Sequence, residues 1–161
     1  MSVMLEACRG LPIRELGVGE VLIAEGGRGG VIYVVESGSF EVARQGATVA
    51  TISDRGTVLG EISFLLGGEH GATVTATNPA RVYEVSDPGA FVAADAERLF
   101  EIARALARRL HRLTGYLSDV RSQYGAAVGH LGLLDEVLSE LTFGEQATIE
   151  PGSERDPNPL Y

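Results

Sequence analysis

The chain has 161 residues with 45% hydrophobic and 22% charged residues, a composition that excludes a disordered protein and supports a globular core. Its formal net charge is −9 at pH 7, which argues against general binding to the phosphate backbone of nucleic acids. The sequence shows neither a run of about 18 apolar residues nor a secretory leader, so no membrane span is expected and a cytoplasmic protein is predicted.

Short elements separated by glycines fill the first half of the chain. Residues 1–11 are typical of a short helix, and from Ile13 to Ser86 the pattern changes to strands. The predicted strands are Val21–Glu25, Val31–Val35, Phe40–Arg44, Thr48–Ile52, Ala72–Thr77 and Arg81–Val85. The pair Gln45-Gly46 predicts a hairpin turn. Strands this short, with turns this frequent, indicate a jelly-roll or a barrel.

The stretch from Gly60 to Val74 is the most informative part of the sequence. It predicts a glycine turn, one short apolar helical turn, a glycine-rich loop and then a strand. A helix that begins after a glycine leaves backbone N–H groups unpaired, and these groups favour an anion. Glu61 falls in the first turn of this helix, where a carboxylate can accept hydroxyl donors. Such a combination suits a nucleotide, with amides for a phosphate and a carboxylate for a sugar.

A long helix follows. Asp87-Pro88 predicts a helix start, with Asp as the N-cap and Pro at the first helical position. From Glu97 to about Tyr124 the apolar residues are spaced alternately by four and three. This heptad seam consists of Leu99, Ala103, Leu106, Leu110, Leu113, Leu117 and Val120. It favours a two-stranded coiled coil, and the alternative is a helix that packs on its own barrel. Its arginine-rich face is interpreted as solvated rather than as a nucleic-acid surface.

In the last forty residues, which are acidic, glycines interrupt the helical pattern. Three glycines, at positions 125, 129 and 132, each weaken a helix by about 1 kcal/mol relative to alanine. Residues 122–144 are therefore expected to form a linker and a separate short helix, Leu133–Leu141. The tail 145–161 has three prolines and no periodicity, which predicts a disordered segment.

Three glycine-anchored blocks resemble the domains of the cyclic-nucleotide-binding family. They are Gly19–Gly26, Ile32–Val42 and Gly60–Ala76, in the family's order and followed by a long leucine-rich helix. The resemblance covers Glu15 to about Val120. It implies an α+β fold, an eight-stranded β jelly-roll with flanking helices and a long C-terminal dimerisation helix, over a domain spanning residues 1–121.

The resemblance also implies the residues of a nucleotide site. Glu61 corresponds to the glutamate that takes the ribose 2′-hydroxyl. Backbone amides of the Gly60–Ala76 block, which we call the cassette, correspond to those that take the cyclic phosphate. The implied nucleotide-binding residues are Gly60, Glu61, Ile62, His70, Gly71, Ala72 and Thr73. Gly71 stands where cGMP-selective members often have threonine, which favours cAMP as the ligand. In relatives the long helix caps the base, and the candidates for this role are Arg108, Arg109, Arg112 and Thr114.

The chain departs from the family pattern at Glu69-His70, where the family places Pro-Arg. Arginine offers a permanent charge and a bidentate fork, whereas histidine offers a single contact. Losing a charge-assisted contact costs on the order of 1.5–3 kcal/mol, about ten- to a hundred-fold in affinity. The pocket is therefore weakened, retuned to another anionic ligand, or vestigial. Arg28, in a glycine-rich loop, is a possible substitute, and the alternative is an arginine without a partner.

The sequence shows no arrangement of residues that is typical of a catalytic or metal-binding site. The three histidines, His70, His111 and His130, lack ligand spacing, and the lone Cys8 is expected to be a small buried filler. The forty residues after Arg121 carry one base, Arg155, so no recognition helix for DNA is expected.

Two non-enzymatic functions remain. The first is a stand-alone regulatory module that senses a cAMP-like cyclic nucleotide without a metal and signals to a separate effector protein. The second is a degenerate domain that has no nucleotide ligand and serves as a dimeric interaction scaffold. Either function predicts a homodimer formed through Leu99, Leu106, Leu110, Leu113 and Leu117.

Overall fold

The structure is a computed structural model that describes residues 2–124 together with Val137, Leu138 and Leu141. These last three residues are helical. Most of the predicted linker and short helix lies outside the described residues, as do His130 and the whole predicted tail, 145–161.

The described part of the chain alternates short strands with four helices. Their bounds are α1 (Val3–Ala7), β1 (Ile13–Leu16), β2 (Val21–Ile23), β3 (Ile32–Ser37), β4 (Phe40–Arg44), β5 (Ala47–Ile52), β6 (Val58–Leu59), α2 (Glu61–Leu66), β7 (Thr73–Ala76), β8 (Ala80–Val85), α3 (Pro88–Ala93) and α4 (Ala96–Tyr124).

The eight strands form two antiparallel sheets of four. The strand order is β1-β8-β3-β6 in one sheet and β2-β7-β4-β5 in the other. Neighbours in a sheet are mostly distant in sequence; for example, β3 pairs with β8 from Ile32 opposite Val85 to Ser37 opposite Arg81. This confirms the predicted jelly-roll. Helix α2 connects β6 of the first sheet to β7 of the second, so the Gly60–Val74 stretch lies where the chain passes between the sheets.

A single apolar cluster stabilises the two sheets. It includes Phe40, Val35 and Val82, none of which exposes any surface, together with Leu59 and Val74. Leu59 immediately precedes Gly60, and Val74 lies in β7 just after the glycine-rich loop. Because these two residues are anchored in the core, both ends of the Gly60–Val74 stretch are fixed by hydrophobic burial.

Local sequence signals are confirmed at two positions. Gln45 and Gly46 adopt φ values of +51° and +79°, which matches a tight hairpin turn between β4 and β5. Asp87 accepts a hydrogen bond from the Ala90 amide at 2.9 Å, and Pro88 is the first residue of α3. Helix α1 ends at Ala7, a few residues earlier than its predicted end, and the glycine at position 10 has a left-handed φ of +89°.

The chain divides into two compact units, residues 1–104 and 105–161. Helix α4 begins in the first unit and continues into the second, which confirms a long helix at the predicted position. On its predicted seam, four residues are exposed (Leu99, Ala103, Leu110 and Leu113) and three are half-buried (Leu106, Leu117 and Val120). Ile102, outside the seam, is 1% exposed. Among the described helices, none combines the length and apolarity that a membrane crossing requires.

Candidate functional site

Helix α2 begins and ends at glycines whose backbones are left-handed. Gly60 has a φ of +86° and Gly67 a φ of +69°, a conformation that L side chains rarely adopt. A methyl group on Gly60 would also lie 3.0 Å from the Val31 carbonyl oxygen. No side chain caps the helix start. The predicted order of glycine turn, helical turn, loop and strand is therefore confirmed.

Glu61 is the first residue of α2 and is only 4% exposed. Few acidic side chains are buried to this degree, because removing a carboxylate from water is costly unless it finds partners. Position and burial distinguish Glu61 from the exposed acidic residues nearby, and its role in accepting a sugar hydroxyl stays a prediction. Ser63, two residues later, is the other buried polar residue among those that the structure describes, at 5% exposure.

Ser63 forms a hydrogen-bonded pair with His70, a contact that the sequence did not predict. The Ser63 hydroxyl lies 2.8 Å from His70 Nδ1 and donates to the Gly60 carbonyl oxygen at 2.9 Å. Seven residues separate Ser63 from His70, so only the return of the chain after α2 brings the two side chains together. The imidazole ring thus lies beside the start of the helix, with Cε1 3.5 Å from where a Cβ of Gly60 would be.

The glycine-rich loop between β2 and β3 closes over this region. The Gly26 amide donates to the His70 carbonyl at 2.8 Å, and the His70 amide donates to the Gly27 carbonyl at 2.9 Å. Arg28 and Glu69 form an isolated antiparallel bridge. A methyl group on Gly29 would come within 2.5 Å of the Gly68 carbonyl oxygen and 3.0 Å of Ser63 Cβ. This loop, apart from Arg28, was missed as part of the site, although its two glycine pairs on either side of Arg28 signal a close backbone approach.

A cavity of about 480 Å³ lies between the glycine-rich loop and α2. Its lining consists of Gly26, Arg28, Gly29, Gly30, Ser63, Phe64, Gly67, Gly68 and Glu69. The predicted nucleotide-binding residues lie outside this lining. The cavity carries one cation, Arg28, and one carboxylate, Glu69, so it is not strongly selective for an anion.

Of the remaining predicted site residues, Ile62 lies in α2, and Gly71, Ala72 and Thr73 follow it along the chain. Ile62 is 51% exposed, and Gly71 is exposed with open space around its Cα. Ala72 is half-buried. Thr73 starts β7, and its hydroxyl accepts a hydrogen bond from the Glu25 amide at 3.1 Å. Thr73 therefore helps to hold the end of β2 beside the cassette.

The predicted base-capping residues belong to the second compact unit. Arg108, Arg109, Arg112 and Thr114 all lie on α4. The Thr114 hydroxyl donates to the Leu110 carbonyl at 2.9 Å, within its own helix. Their role in covering a base stays a prediction.

The described residues contain no cluster of three or more histidine, cysteine, aspartate or glutamate side chains that could hold a metal. Cys8 is fully buried, as expected for a filler. Burial raises the pKa of its thiol from 9.0 to about 11, and the nearby Arg98 guanidinium opposes this in part. A buried thiol with a raised pKa is a poor nucleophile.

Comparison with known proteins identifies the family. Residues 13–91 match the model of the cyclic nucleotide-binding domain. Over 84 residues, half of this chain, the sequence is 33% identical to a cAMP-dependent protein kinase regulatory subunit of Yarrowia lipolytica. Over 65 residues, 40% of this chain, it is 35% identical to a cGMP-dependent protein kinase of Drosophila melanogaster. These matches span 22% and 6% of the two relatives.

Comparison of the fold with solved structures supports the same family. The catabolite activator protein of Thermus thermophilus superposes with a TM-score of 0.62 and 25% identity, over 73% of this chain and 58% of that one. The family model covers all eight strands and the Gly60–Val74 stretch. Through residues 13–91, this chain belongs to the cyclic nucleotide-binding domain family.

Proposed function

We propose that this chain is a regulatory module that senses a cAMP-like cyclic nucleotide and signals to a separate partner protein. The observation that carries the proposal is Glu61, a buried carboxylate in the first turn of the helix that starts at the left-handed Gly60. Its burial holds the carboxylate in one place, and a fixed acceptor is what recognition of a sugar hydroxyl requires. The yeast relative is itself described as a cAMP-dependent regulatory subunit.

In this proposal the ligand is bound by both side chains and backbone. Glu61 accepts the ribose 2′-hydroxyl, and amides around Gly60, Ile62, Gly71 and Ala72 receive the cyclic phosphate. His70 takes the position of the family arginine. The exposed Gly71 leaves room beside the phosphate and lacks a hydroxyl, which favours cAMP over cGMP.

Calorimetric titration of the purified chain with cAMP, cGMP and cyclic dinucleotides tests the proposal. We expect saturable binding with a preference for cAMP. Glu61→Gln is the informative variant, because it keeps the shape of the side chain and removes the charge that accepts the hydroxyl. Wild-type protein that binds none of these ligands would contradict the proposal.

We further propose that the module is a homodimer formed through the seam of α4. On this seam, Leu99, Leu110 and Leu113 expose 42–48% of their surface. Apolar side chains repeated along one helix face at heptad spacing gain most of their stabilisation by burial against a second helix. A dimer would also present two identical surfaces to a partner protein.

A second function, a dimeric scaffold without a nucleotide ligand, is favoured by a different observation. The His70 ring is already hydrogen-bonded to Ser63, and the cavity beside α2 is lined by other residues than those predicted to bind the nucleotide. The same titration separates the two functions. The scaffold predicts a stable dimer without saturable binding of any cyclic nucleotide, whereas the sensor predicts both properties.

A further inference from the structure

The Ser63 hydroxyl contacts two groups that compete for its one proton. It lies 2.9 Å from the Gly60 carbonyl oxygen and 2.8 Å from His70 Nδ1. A carbonyl oxygen can only accept, whereas a neutral imidazole nitrogen can donate or accept according to the tautomer. The position of the serine proton therefore determines the tautomer of His70.

The number of hydrogen-bond donors around Ser63 favours one position of its hydroxyl proton. If Ser63 donates to the Gly60 carbonyl, His70 Nδ1 must carry a hydrogen and donate to Ser63 Oγ, and both short contacts are hydrogen bonds. If Ser63 instead donates to Nδ1, two oxygen acceptors face each other at 2.9 Å with no hydrogen between them. At 5% exposure, Ser63 has little water to relieve this repulsion. The structure thus selects the Nδ1–H tautomer.

The other ring nitrogen, Nε2, is left for a ligand. Among the described residues its ring makes no hydrogen bond except the one with Ser63. His70 is half-buried, and its Nε2 is not among the buried polar side-chain atoms that lack a partner in the described residues. In the neutral Nδ1–H tautomer, Nε2 carries a lone pair and repels a phosphate oxygen. It becomes a donor only when the ring is protonated.

We infer that Ser63 is a positioning residue that makes anion binding at His70 depend on the uptake of one proton at Nε2. Without Ser63, a neutral ring could adopt the Nε2–H tautomer and donate to a phosphate with no proton uptake. With Ser63, the protonated ring keeps its bond to the hydroxyl, so protonation requires no rearrangement. The inference rests on the proposed function, and it adds that proton uptake on binding depends on the charge of the ligand.

Charged groups around the ring are few and of mixed sign. Glu69 precedes His70 and is exposed, and Arg28 on the glycine-rich loop is exposed as well. Glu25, at the start of that loop, accepts a hydrogen bond from the Gln45 amide at 2.8 Å. Glu61 on α2 is buried. The hydrogen-bond geometry, rather than a neighbouring charge, fixes the tautomer.

The first test is nitrogen-15 NMR of the full chain without ligand at pH 8. We expect the neutral His70 ring to carry its proton on Nδ1 in the wild type and to lose this preference in Ser63→Ala. Ser53→Ala, at an exposed position outside the cassette, is the matched control. A wild-type His70 that carries its proton on Nε2 would overturn the inference.

The second test counts protons during calorimetric titration at pH 8 in buffers of different ionisation enthalpy. We expect about one proton taken up per cAMP bound by wild type, clearly less by Ser63→Ala, and none when uncharged adenosine is the titrant. Equal uptake by wild type and Ser63→Ala overturns the inference. If wild type binds no cyclic nucleotide, the proposed function fails, and the NMR tautomer alone decides the role of Ser63.

Discussion

Replacing His70 with arginine restores the charge that the family uses for the cyclic phosphate. In the structure the change removes one hydrogen bond, between Ser63 and His70. The Ser63 hydroxyl keeps the Gly60 carbonyl as its acceptor, so no buried polar group is left without a partner. A net hydrogen bond contributes about 1 kcal/mol, so we expect His70→Arg to lower the melting temperature of the ligand-free protein by a few degrees at most.

The expected gain in affinity is larger than this cost. A guanidinium fork on a phosphate replaces a single contact that requires protonation, and charge-assisted hydrogen bonds contribute about 1.5–3 kcal/mol. This corresponds to about ten- to a hundred-fold tighter cAMP binding. The gain should be greatest at pH 8, because the arginine keeps its charge there without taking up a proton.

Calorimetry at pH 6, 7 and 8 measures both effects. Wild type should bind cAMP more tightly as the pH falls from 8 to 6, and His70→Arg should be nearly independent of pH over this range. His111→Arg makes the same substitution on the exposed surface of α4 and should change neither property. An arginine variant that binds cAMP no more tightly than wild type at pH 8 would refute the reasoning, since residue 70 would then not reach the phosphate.

Two other outcomes identify the state of the pocket. No saturable binding in either protein would indicate a vestigial cavity, in which one arginine gains little. If wild type binds a different anion tightly and His70→Arg abolishes it, His70 determines specificity and cAMP is not the ligand.

The remaining predictions concern the seam, the buried acid and the buried thiol. Leu106→Glu with Leu110→Glu should convert dimers to monomers in light scattering at tens of micromolar, because the charges would enter a desolvated interface; a monomeric wild type contradicts this. Glu61→Ala should weaken cAMP binding at least ten-fold with little change in melting temperature, whereas unfolding would indicate a structural cap. Because folding raises the Cys8 pKa to about 11, the unfolded chain releases this proton first as the pH rises above 9. Wild type should therefore lose about 2 kcal/mol of unfolding free energy between pH 9 and 11, and Cys8→Ala should lose less; equal losses contradict the assignment.

Local signals explain what the sequence could predict. Conformational preferences of neighbouring residues can be predicted from a short stretch of sequence. They determine the Gln45-Gly46 turn, the Asp87 cap and the glycines around α2. The heptad spacing of α4 is likewise local. The positions of these elements therefore agreed with the structure to within a few residues.

Contacts between distant segments were not predictable in this way. The Ser63–His70 pair depends on how sharply the chain returns after α2, and the packing of Gly29 against Gly68 depends on two loops that meet only in the folded molecule. Ile102 is another case, because its burial follows from the tertiary structure and not from the seam. The hydrogen-bond geometry of the site therefore required the fold, and the roles that the residue types predict stay predictions.

The paired backbone bonds between the glycine-rich loop and His70 have a mechanical consequence. The Gly26 amide donates to the His70 carbonyl and the His70 amide donates to the Gly27 carbonyl, so two hydrogen bonds of the kind that pairs adjacent strands join the two segments. We expect a ligand that displaces His70 to displace the β2–β3 connection as well, together with the exposed Arg28 and Glu69. A displacement of the imidazole would therefore change the positions of two exposed charged residues, and a partner protein bound at that surface would be affected.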